Sequence, residues 1–438
     1  MDFNILYVDT VIYEPSKNSS PKITKIFWLI LTLLIIDVKI MNISDFIELY
    51  KSEDPIKLLL SLKQEDFSFD LKWAVNQIEC RQKQTKKLSE FISNPLFLFP
   101  DTLAAEQASH QVVARYHASL ISGNQKILDM TSGLGIDSLS LAAKNNVTSL
   151  ELDSLRAETL SQNAKVLNID SITVINADSV EFLKNTNTVF DLIFIDPARR
   201  DNTNKKVYNL HDCLPDVINI QNLLLEKSEK ILIKASPMLD ISQTVRDFSP
   251  HLNSIRAVGV KGECKEILIE LSLNHEEPIL FEAVNLAENG EKISVFKSDP
   301  SCLETIPLAK MDDLEKGYYL LEPSAMVMKL SPWKEICRDF KALKLGKSSN
   351  IFISKIQPDN FPGRVTQLEK ILKKSDKKEL SGSKATIVSK NHPLPAEEIR
   401  KIYQLKEGNE IFIYATKIGE KPIMLRARPT IFVKAEAD

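Results

Sequence analysis

Residues 129–137 read DMTSGLGID. It begins at the end of the strand-like segment 126–129 and precedes a segment with helical spacing. It therefore predicts a glycine turn between a strand and a helix. Gly133 and Gly135 permit a tight turn that approaches a ligand closely, and the N-terminus of the helix favours an anionic group. A dinucleotide fingerprint needs a third glycine where this chain has Ser138, so the turn departs from that pattern.

Strand-like segments alternate with helical segments on both sides of this turn. The predicted strands are 126–129, 147–151, 172–176, 191–196, 230–234, 254–260 and 266–273. Such repeated units predict a parallel sheet with helices on both faces. The last two strands flank the short connection 261–263 and must therefore be antiparallel. We predict an α/β fold with a Rossmann-like, seven-stranded sheet that ends in an antiparallel hairpin, as is typical of class I methyltransferases rather than dehydrogenases.

Acidic residues follow four successive predicted strands, at Asp129, Glu151, Asp178 and Asp196. Ligands of open α/β sheets bind outside the carboxyl ends of the strands. There a carboxylate such as Glu151 can accept two ribose hydroxyls, and Asp178 can accept an amino group. Each acid can instead cap a helix, Asp178 before Ser179 being the clearest case. Four such acids together with the glycine turn predict a nucleoside site.

Residues 196–200 read DPARR and end the fourth strand. Asp196 is a candidate for orienting a methyl acceptor or taking its proton, and the alternative is a carboxylate that braces the loop. Arg199 and Arg200 can clamp a substrate phosphate or form ion pairs within the loop. The candidate catalytic residues are Asp196, Pro197 and Arg199, and the candidate substrate-binding residues are Arg199, Arg200 and Lys234.

Further motifs give the chain a resemblance to a bacterial family of class I S-adenosylmethionine-dependent methyltransferases that carry a C-terminal THUMP-like domain. Beside DMTSGLGID and DPARR, these motifs are EQAS at 106–109, ARY at 114–116, YLLEP at 319–323, FPGR at 361–364, NHPL at 391–394 and EIRK at 398–401. The resemblance covers most of the chain after Met41. It implies S-adenosylmethionine (SAM) as the cofactor and RNA as a partner of the C-terminal domain.

The resemblance also implies that the segment around Gln107 and Ser109 closes over SAM. The candidate cofactor-binding residues are therefore Gln107, Ser109, Asp129, Thr131, Gly133, Gly135, Asp137, Glu151 and Asp178. Thr131 and Ser132 stand where other methyltransferases often have glycine or cysteine. This departure concerns the geometry of the turn and not the fold.

The predicted domains are an N-terminal helical region at 41–122, a methyltransferase domain at 123–274, a ferredoxin-like module at 276–344 and a THUMP-like domain at 350–436. The resemblance supplies the last two. In the C-terminal part, the residue pattern predicts strands at 350–356, 384–390, 410–417 and 424–433, with helices at 365–374 and 395–405.

The C-terminal part is basic, with 20 Lys or Arg and 11 Asp or Glu in residues 341–438, whereas the whole chain has a formal net charge of -3. This asymmetry favours an anionic partner such as RNA, and a solvated lysine-rich surface is the alternative. Binding to RNA through this part would be sensitive to salt.

Residues 1–40 form a separate question. The apolar run 26–36 is shorter than the roughly 18 residues of a membrane span, and no small-residue cleavage site follows it. We interpret residues 1–40 as an upstream extension before Met41, either poorly structured or a short apolar helix. A membrane anchor is the alternative, but no stable membrane partner is expected.

Five scattered cysteines without zinc spacing indicate a reducing compartment, no metal site and a cytoplasmic location.

The sequence does not determine which atom of the substrate receives the methyl group. The loop after the fifth strand reads KASP at 234–237, without the cysteine of uracil-C5 methyltransferases, and DPARR lacks the second proline and the aromatic residue of exocyclic-amine methylases. We predict methylation of tRNA or rRNA; the alternatives are a protein or small-molecule acceptor, or a non-catalytic RNA-binding protein. His110, His117 and His392 have no evident partners in the sequence and are interpreted as surface or packing residues.

Overall fold

The computed structural model describes residues 41–198, 210–274, 278–299 and 305–430. Of these, residues 41–108 form one compact unit together with Glu158–Asn168, and the other described residues form a second unit. The predicted extension 1–40 and both arginines of DPARR lie outside the described residues. Within the described ranges, no helix is both long and apolar enough to cross a membrane.

The described residues form short helices and strands that follow one another along the chain. The helices are α1 Ile43–Tyr50, α2 Pro55–Ser61, α3 Leu71–Gln84, α4 Ser89–Ile92, α5 Thr102–Gln107, α6 Gln111–Ser119, α7 Ile136–Ala142, α8 Ser154–Val166, α9 Ser179–Asn185, α10 Gln221–Lys227, α11 Ile241–Phe248, α12 Ala325–Leu330, α13 Trp333–Asp339, α14 Lys377–Leu380 and α15 Ala396–Tyr403. The strands are β1 Lys126–Asp129, β2 Asn146–Glu151, β3 Ile172–Asn176, β4 Leu192–Ile195, β5 Lys230–Ala235, β6 Leu252–Val260, β7 Glu263–Ser272, β8 Leu280–Leu286, β9 Lys292–Ser298, β10 Tyr319–Pro323, β11 Ala342–Lys344, β12 Phe352–Ser354, β13 Gly363–Ile371, β14 Lys384–Ser389, β15 Lys406–Glu407, β16 Ile411–Ile418 and β17 Lys421–Pro429.

The first unit is helical, as the residue spacing predicts. Asp70 begins α3 because its side chain accepts a hydrogen bond from the backbone N–H of Trp73. Phe46 is fully buried and meets the ring of Phe67 edge-on at 5.3 Å. Asn163 exchanges two hydrogen bonds with the backbone of Leu98, at 2.8 and 2.9 Å, and so holds segment 158–168 within this unit.

The first sheet has the strand order β3-β2-β1-β4-β5-β7-β6-β8-β9. Its first seven strands form the predicted Rossmann-like sheet, and β6 and β7 form the predicted antiparallel hairpin. Lys261 and Gly262 make the hairpin turn with φ angles of 52° and 84°, the left-handed conformations that a two-residue turn requires. Strands β8 and β9 extend the sheet beyond the seven strands predicted.

Both faces of this sheet are covered. Ile193 and Ile195 of β4 pack into one apolar core, and the alternate residues Leu192 and Phe194 pack into another core on the opposite face. Burial on both faces explains why the parallel strands are almost continuously apolar.

The second sheet has the order β11-β12-β10-β13-β17-β16-β14-β15. The prediction of a helix at 365–374 is wrong, because β13 occupies Gly363–Ile371. This strand lies between β10 and β17 and pairs with both of them, so sheet hydrogen bonds override the local helical spacing. The helix predicted at 395–405 is confirmed by α15.

Segment 276–344, predicted as one module, contributes to both sheets. Strands β8 and β9 belong to the first sheet, whereas β10 and β11 belong to the second. The spacing of apolar residues in short strands does not say which sheet edge each strand joins.

We expect Ile269→Ala to lower the free energy of unfolding by about 2–5 kcal/mol, because Ile269 is fully buried in the central strand β7. Ile293→Ala removes the same atoms at a position that is 58% exposed, and should cost less than about 0.5 kcal/mol. Urea unfolding of both variants measures the difference, and equal losses would contradict the described core.

Candidate active site

The predicted site residues meet at one edge of the first sheet. Strand β1 pairs in parallel with β2 on one side and β4 on the other, and β4 pairs in parallel with β5. The carboxyl ends of these strands therefore lie together. Asp129, Glu151, Asp196 and Lys234 stand at or directly after these ends.

The glycine turn adopts conformations that other residues rarely take. Gly133 has a φ of +56° and Gly135 a φ of +84°. A Cβ at Gly133 would meet no atom within 4 Å, so backbone conformation and not packing favours glycine there. The N–H of Gly133 donates a hydrogen bond to Glu151 Oε2 at 2.8 Å, which places the turn and this carboxylate side by side.

Thr131 and Ser132 hold the turn through their hydroxyl groups. The N–H of Asp196 donates to Thr131 Oγ1 at 2.7 Å, which connects the turn to the end of β4. Ser132 Oγ donates to the carbonyl of Leu150 at 2.9 Å and lies 2.5 Å from Ser149 Oγ. These side chains, unusual for a methyltransferase turn, connect it to both neighbouring strands.

Asp129 lies beneath the turn and is 1% exposed. Its carboxylate accepts hydrogen bonds from Ser138 Oγ at 2.5 Å and from the N–H of Thr131 at 3.0 Å. Burial raises the pKa of Asp129 to about 7, against the lowering effect of these hydrogen bonds. The group thus supports the turn from below, and its direct contact with a cofactor remains a prediction.

His117 of α6 is fully buried between two carboxylates, and its interpretation as a residue without partners is wrong. Its Nδ1 lies 2.8 Å from Asp137 Oδ1, and its Nε2 contacts Glu266 of β7. Carboxylates only accept hydrogen bonds, so both ring nitrogens donate and the imidazole is a cation. Burial lowers the pKa of His117, but Glu266 and Asp137 outweigh it and raise that pKa to about 10.

Lys234 points into the same group of charges. Its ammonium contacts Asp196, donates to Ser109 Oγ at 2.7 Å and lies 3.9 Å from Asp137 Oδ2. The hydroxyl of Ser109 in turn donates to Asp137. Burial opposes protonation of Lys234, but the nearby carboxylates keep its pKa above the ordinary value. Burial also opposes ionisation of Asp137, but Lys234 and His117 lower its pKa to about 2.

Gln107, Asp178, Pro197 and the two arginines of DPARR complete the set of predicted site residues. Gln107 is exposed at the end of α5 in the first unit. Asp178 caps α9, accepting hydrogen bonds from two backbone N–H groups at 2.9 Å, which is the alternative that its position before Ser179 suggested. Pro197 is buried directly after Asp196. Arg199 and Arg200 cannot be placed, since they lie outside the described residues.

No sequence signal identified His117 and Glu266 as partners. They are 149 residues apart in the chain and belong to a helix and an antiparallel strand. Only the order β5-β7-β6 brings the first half of β7 to the edge where the parallel strands end.

Three family models match successive parts of the chain. A model described as "Conserved hypothetical protein 95" matches residues 106–244, a ferredoxin-like domain matches 319–362, and a THUMP domain-like model matches 362–429. The crystal structure of a candidate methyltransferase from Porphyromonas gingivalis W83 is similar over 89% of this chain and 98% of its own, with 27% identity and a TM-score of 0.77.

Curated relatives match shorter stretches. An uncharacterized RNA methyltransferase of Mycoplasma mobile is 36% identical over 19% of this chain and 23% of its own length. Ribosomal RNA small subunit methyltransferase D of Buchnera aphidicola is 37% identical over 20% of this chain and 47% of its own length. Methyltransferase J of Francisella philomiragia is 33% identical over 26% and 55%. The chain thus spans about half or less of these relatives.

The strand order of the first sheet and its glycine turn are those of a class I methyltransferase fold. The chain combines this fold with matches to a ferredoxin-like and a THUMP-like domain, in the order that its motifs predict.

The paired His117 predicts a pH dependence of stability. Its pKa is about 10 in the folded protein against 6.5 as a free side chain, so its contribution is complete below pH 6.5 and is lost as the pH rises towards 10. Between pH 7 and 9 the free energy of unfolding should fall by up to about 1.4 kcal/mol per pH unit on this account. His117→Gln should remove this slope in urea unfolding, whereas the control His392→Gln keeps it. An equal slope in wild type and His117→Gln would contradict the described pairing.

Proposed function

We propose that this protein is a SAM-dependent methyltransferase that acts on RNA. The observation that carries the proposal is the hydrogen bond from the N–H of Gly133 to Glu151. It joins a left-handed glycine turn at a helix N-terminus to a carboxylate at the end of the adjacent strand, as a nucleoside with an anionic tail requires.

The residues at this edge fit SAM. Gly133 leaves open space for the close approach of a ligand, and the N-terminus of α7 suits the carboxylate of the methionine part. Glu151 is partly exposed and suits the ribose hydroxyls. The next residue, Leu152, is 71% exposed and offers an apolar surface for an adenine ring. When bound, SAM supplies an electrophilic methyl group on a sulfonium.

Asp196 is the proposed group on the acceptor side. Its carboxylate is partly exposed at the end of β4, where the N–H of Asp196 is fixed by Thr131 of the turn. A carboxylate at this place can accept a hydrogen bond from the acceptor or take its proton. Positioning of this kind supplies much of the acceleration in a methyl transfer.

The choice of RNA rests on the relatives and on charge. The named relatives are RNA methyltransferases, and the THUMP-like match at 362–429 contains 15 Lys or Arg against 8 Asp or Glu. A basic domain next to a catalytic domain is suited to the phosphate backbone of a nucleic acid. We propose that the C-terminal domain holds the RNA substrate.

We expect Gly133→Ala to weaken SAM binding at least tenfold, because the new methyl group enters the space proposed for the ligand. Gly382→Ala is a matched control, since Gly382 also has a positive φ of +83° and no atom within 4 Å of a built Cβ. Both changes should cost about 1–2 kcal/mol of stability through backbone strain. Isothermal titration calorimetry with SAM measures the affinities; equal affinities in both variants would argue against the proposed site.

Deletion of the gene should remove one methylated nucleoside from the tRNA or rRNA of the cell, as measured by mass spectrometry of digested RNA. Wild-type protein should restore the nucleoside, whereas Asp196→Asn should lose about 100-fold or more in rate and fail to restore it. An unchanged nucleoside profile with methyl groups appearing in protein would favour a protein acceptor. RNA binding without SAM binding would favour a non-catalytic role.

A further inference from the structure

Five charged side chains form a largely buried cluster that ends at the proposed acceptor site. The charge cluster consists of His117 on α6, Asp137 on α7, Asp196 after β4, Lys234 on β5 and Glu266 on β7. Direct contacts join Glu266 to His117, His117 to Asp137, and Asp196 to Lys234. The Asp196 side chain is 32% exposed and the Lys234 side chain 12%, so Asp196 is the accessible end of the cluster.

Lys234 is the only cation that contacts Asp196 among the described residues. The other charged groups that act on Asp196 are carboxylates, from Asp137 on α7 and Glu266 on β7, with Asp129 at the end of β1 also nearby. Burial raises the pKa of Asp196 above its ordinary value, Lys234 opposes this shift, and Asp137 and Glu266 add to it, so the loss of Lys234 would favour protonation of Asp196 further. A protonated carboxyl group could no longer take a proton from an acceptor.

The ammonium of Lys234 donates to two side chains of the protein. These are Asp196 and Ser109, and Ser109 connects the ammonium to Asp137. The role of Lys234 in binding substrate phosphate stays a prediction.

We propose that Lys234 is a positioning residue of the methyl transfer, which holds the Asp196 carboxylate ionised and in one orientation. The inference rests on the proposed function, because it assigns Asp196 to the acceptor. A role in fold stability alone explains the charge cluster poorly. Burying charges costs several kcal/mol for each ion, and well-packed apolar residues would stabilise the fold at least as well.

The test uses two substitutions in the full-length protein that change the charge near Asp196 in opposite directions. Lys234→Met removes the positive neighbour of Asp196, and Glu266→Gln removes a negative one. The acid limb of the pH–rate profile should therefore move to higher pH in Lys234→Met and to lower pH in Glu266→Gln, by about one unit or more. A cluster that only stabilises the fold would not shift the two profiles in opposite directions.

Rates are measured as transfer of labelled methyl groups from SAM into total RNA of the deletion strain. Lys234→Met should lower kcat about 100-fold while the Kd of SAM stays within about threefold, and Lys234→Arg should recover part of the rate. Lys230→Met is the matched control on the same strand, at its exposed first residue, and should keep the wild-type rate. Unchanged kcat in Lys234→Met, or profiles that move in the same direction, would overturn the proposal.

A second measurement needs no activity. The carbon-13 signal of the Asp196 carboxyl group, followed by NMR against pH, should give a higher pKa in Lys234→Met and a lower one in Glu266→Gln than in wild type. Identical titrations would overturn the inference. If Lys234→Met does not fold, Lys234→Gln, which is uncharged but can still donate hydrogen bonds, takes its place in both measurements, with the same outcomes expected. If wild type neither binds SAM nor transfers methyl groups, the proposed function fails, while the titrations separately decide whether Lys234 holds Asp196 ionised.

Discussion

The candidate site depends on the parallel pairing of β1 with a strand on each side. Because β2, β1 and β4 run in the same direction, their carboxyl ends reach one edge, and residues far apart in the chain become neighbours there. Two hydrogen bonds then fix the turn at this edge, one from Gly133 to Glu151 and one from Asp196 to Thr131. The turn is thus attached to both adjacent strands, and its left-handed glycines are held in place by the sheet.

A second constraint is electrostatic. Three carboxylates and two cations lie close together at the same edge, all of them buried or partly buried, whereas the strands behind it are apolar on both faces. Ions in such surroundings are tolerated only when each meets an opposite charge or a hydrogen-bond partner. Positive and negative groups alternate in this cluster: His117 lies between Asp137 and Glu266, and Lys234 contacts Asp196.

The chain also shows how neighbouring strands decide local structure. Residues 365–374 have helical spacing, but most of them lie in β13, which pairs on both sides. Val365 and Thr366 are β-branched and suit a central strand once partners are present. Likewise, β8 and β9 join the first sheet because β6 has an unpaired edge after the hairpin. The local residue pattern of β8 and β9 does not indicate this edge.

The glycine turn, the alternation of strands and helices, the closing hairpin and the acids at the strand ends could be predicted from the sequence, because they follow from local spacing and backbone conformation. The comparisons also match the THUMP-like and ferredoxin-like parts that the motifs predicted. The cluster of His117, Lys234 and Glu266 with Asp137 and Asp196 became apparent from the tertiary structure alone. Side chains on different elements meet through strand order and helix packing, and the physical cost of burying their charges becomes visible only when that packing is known.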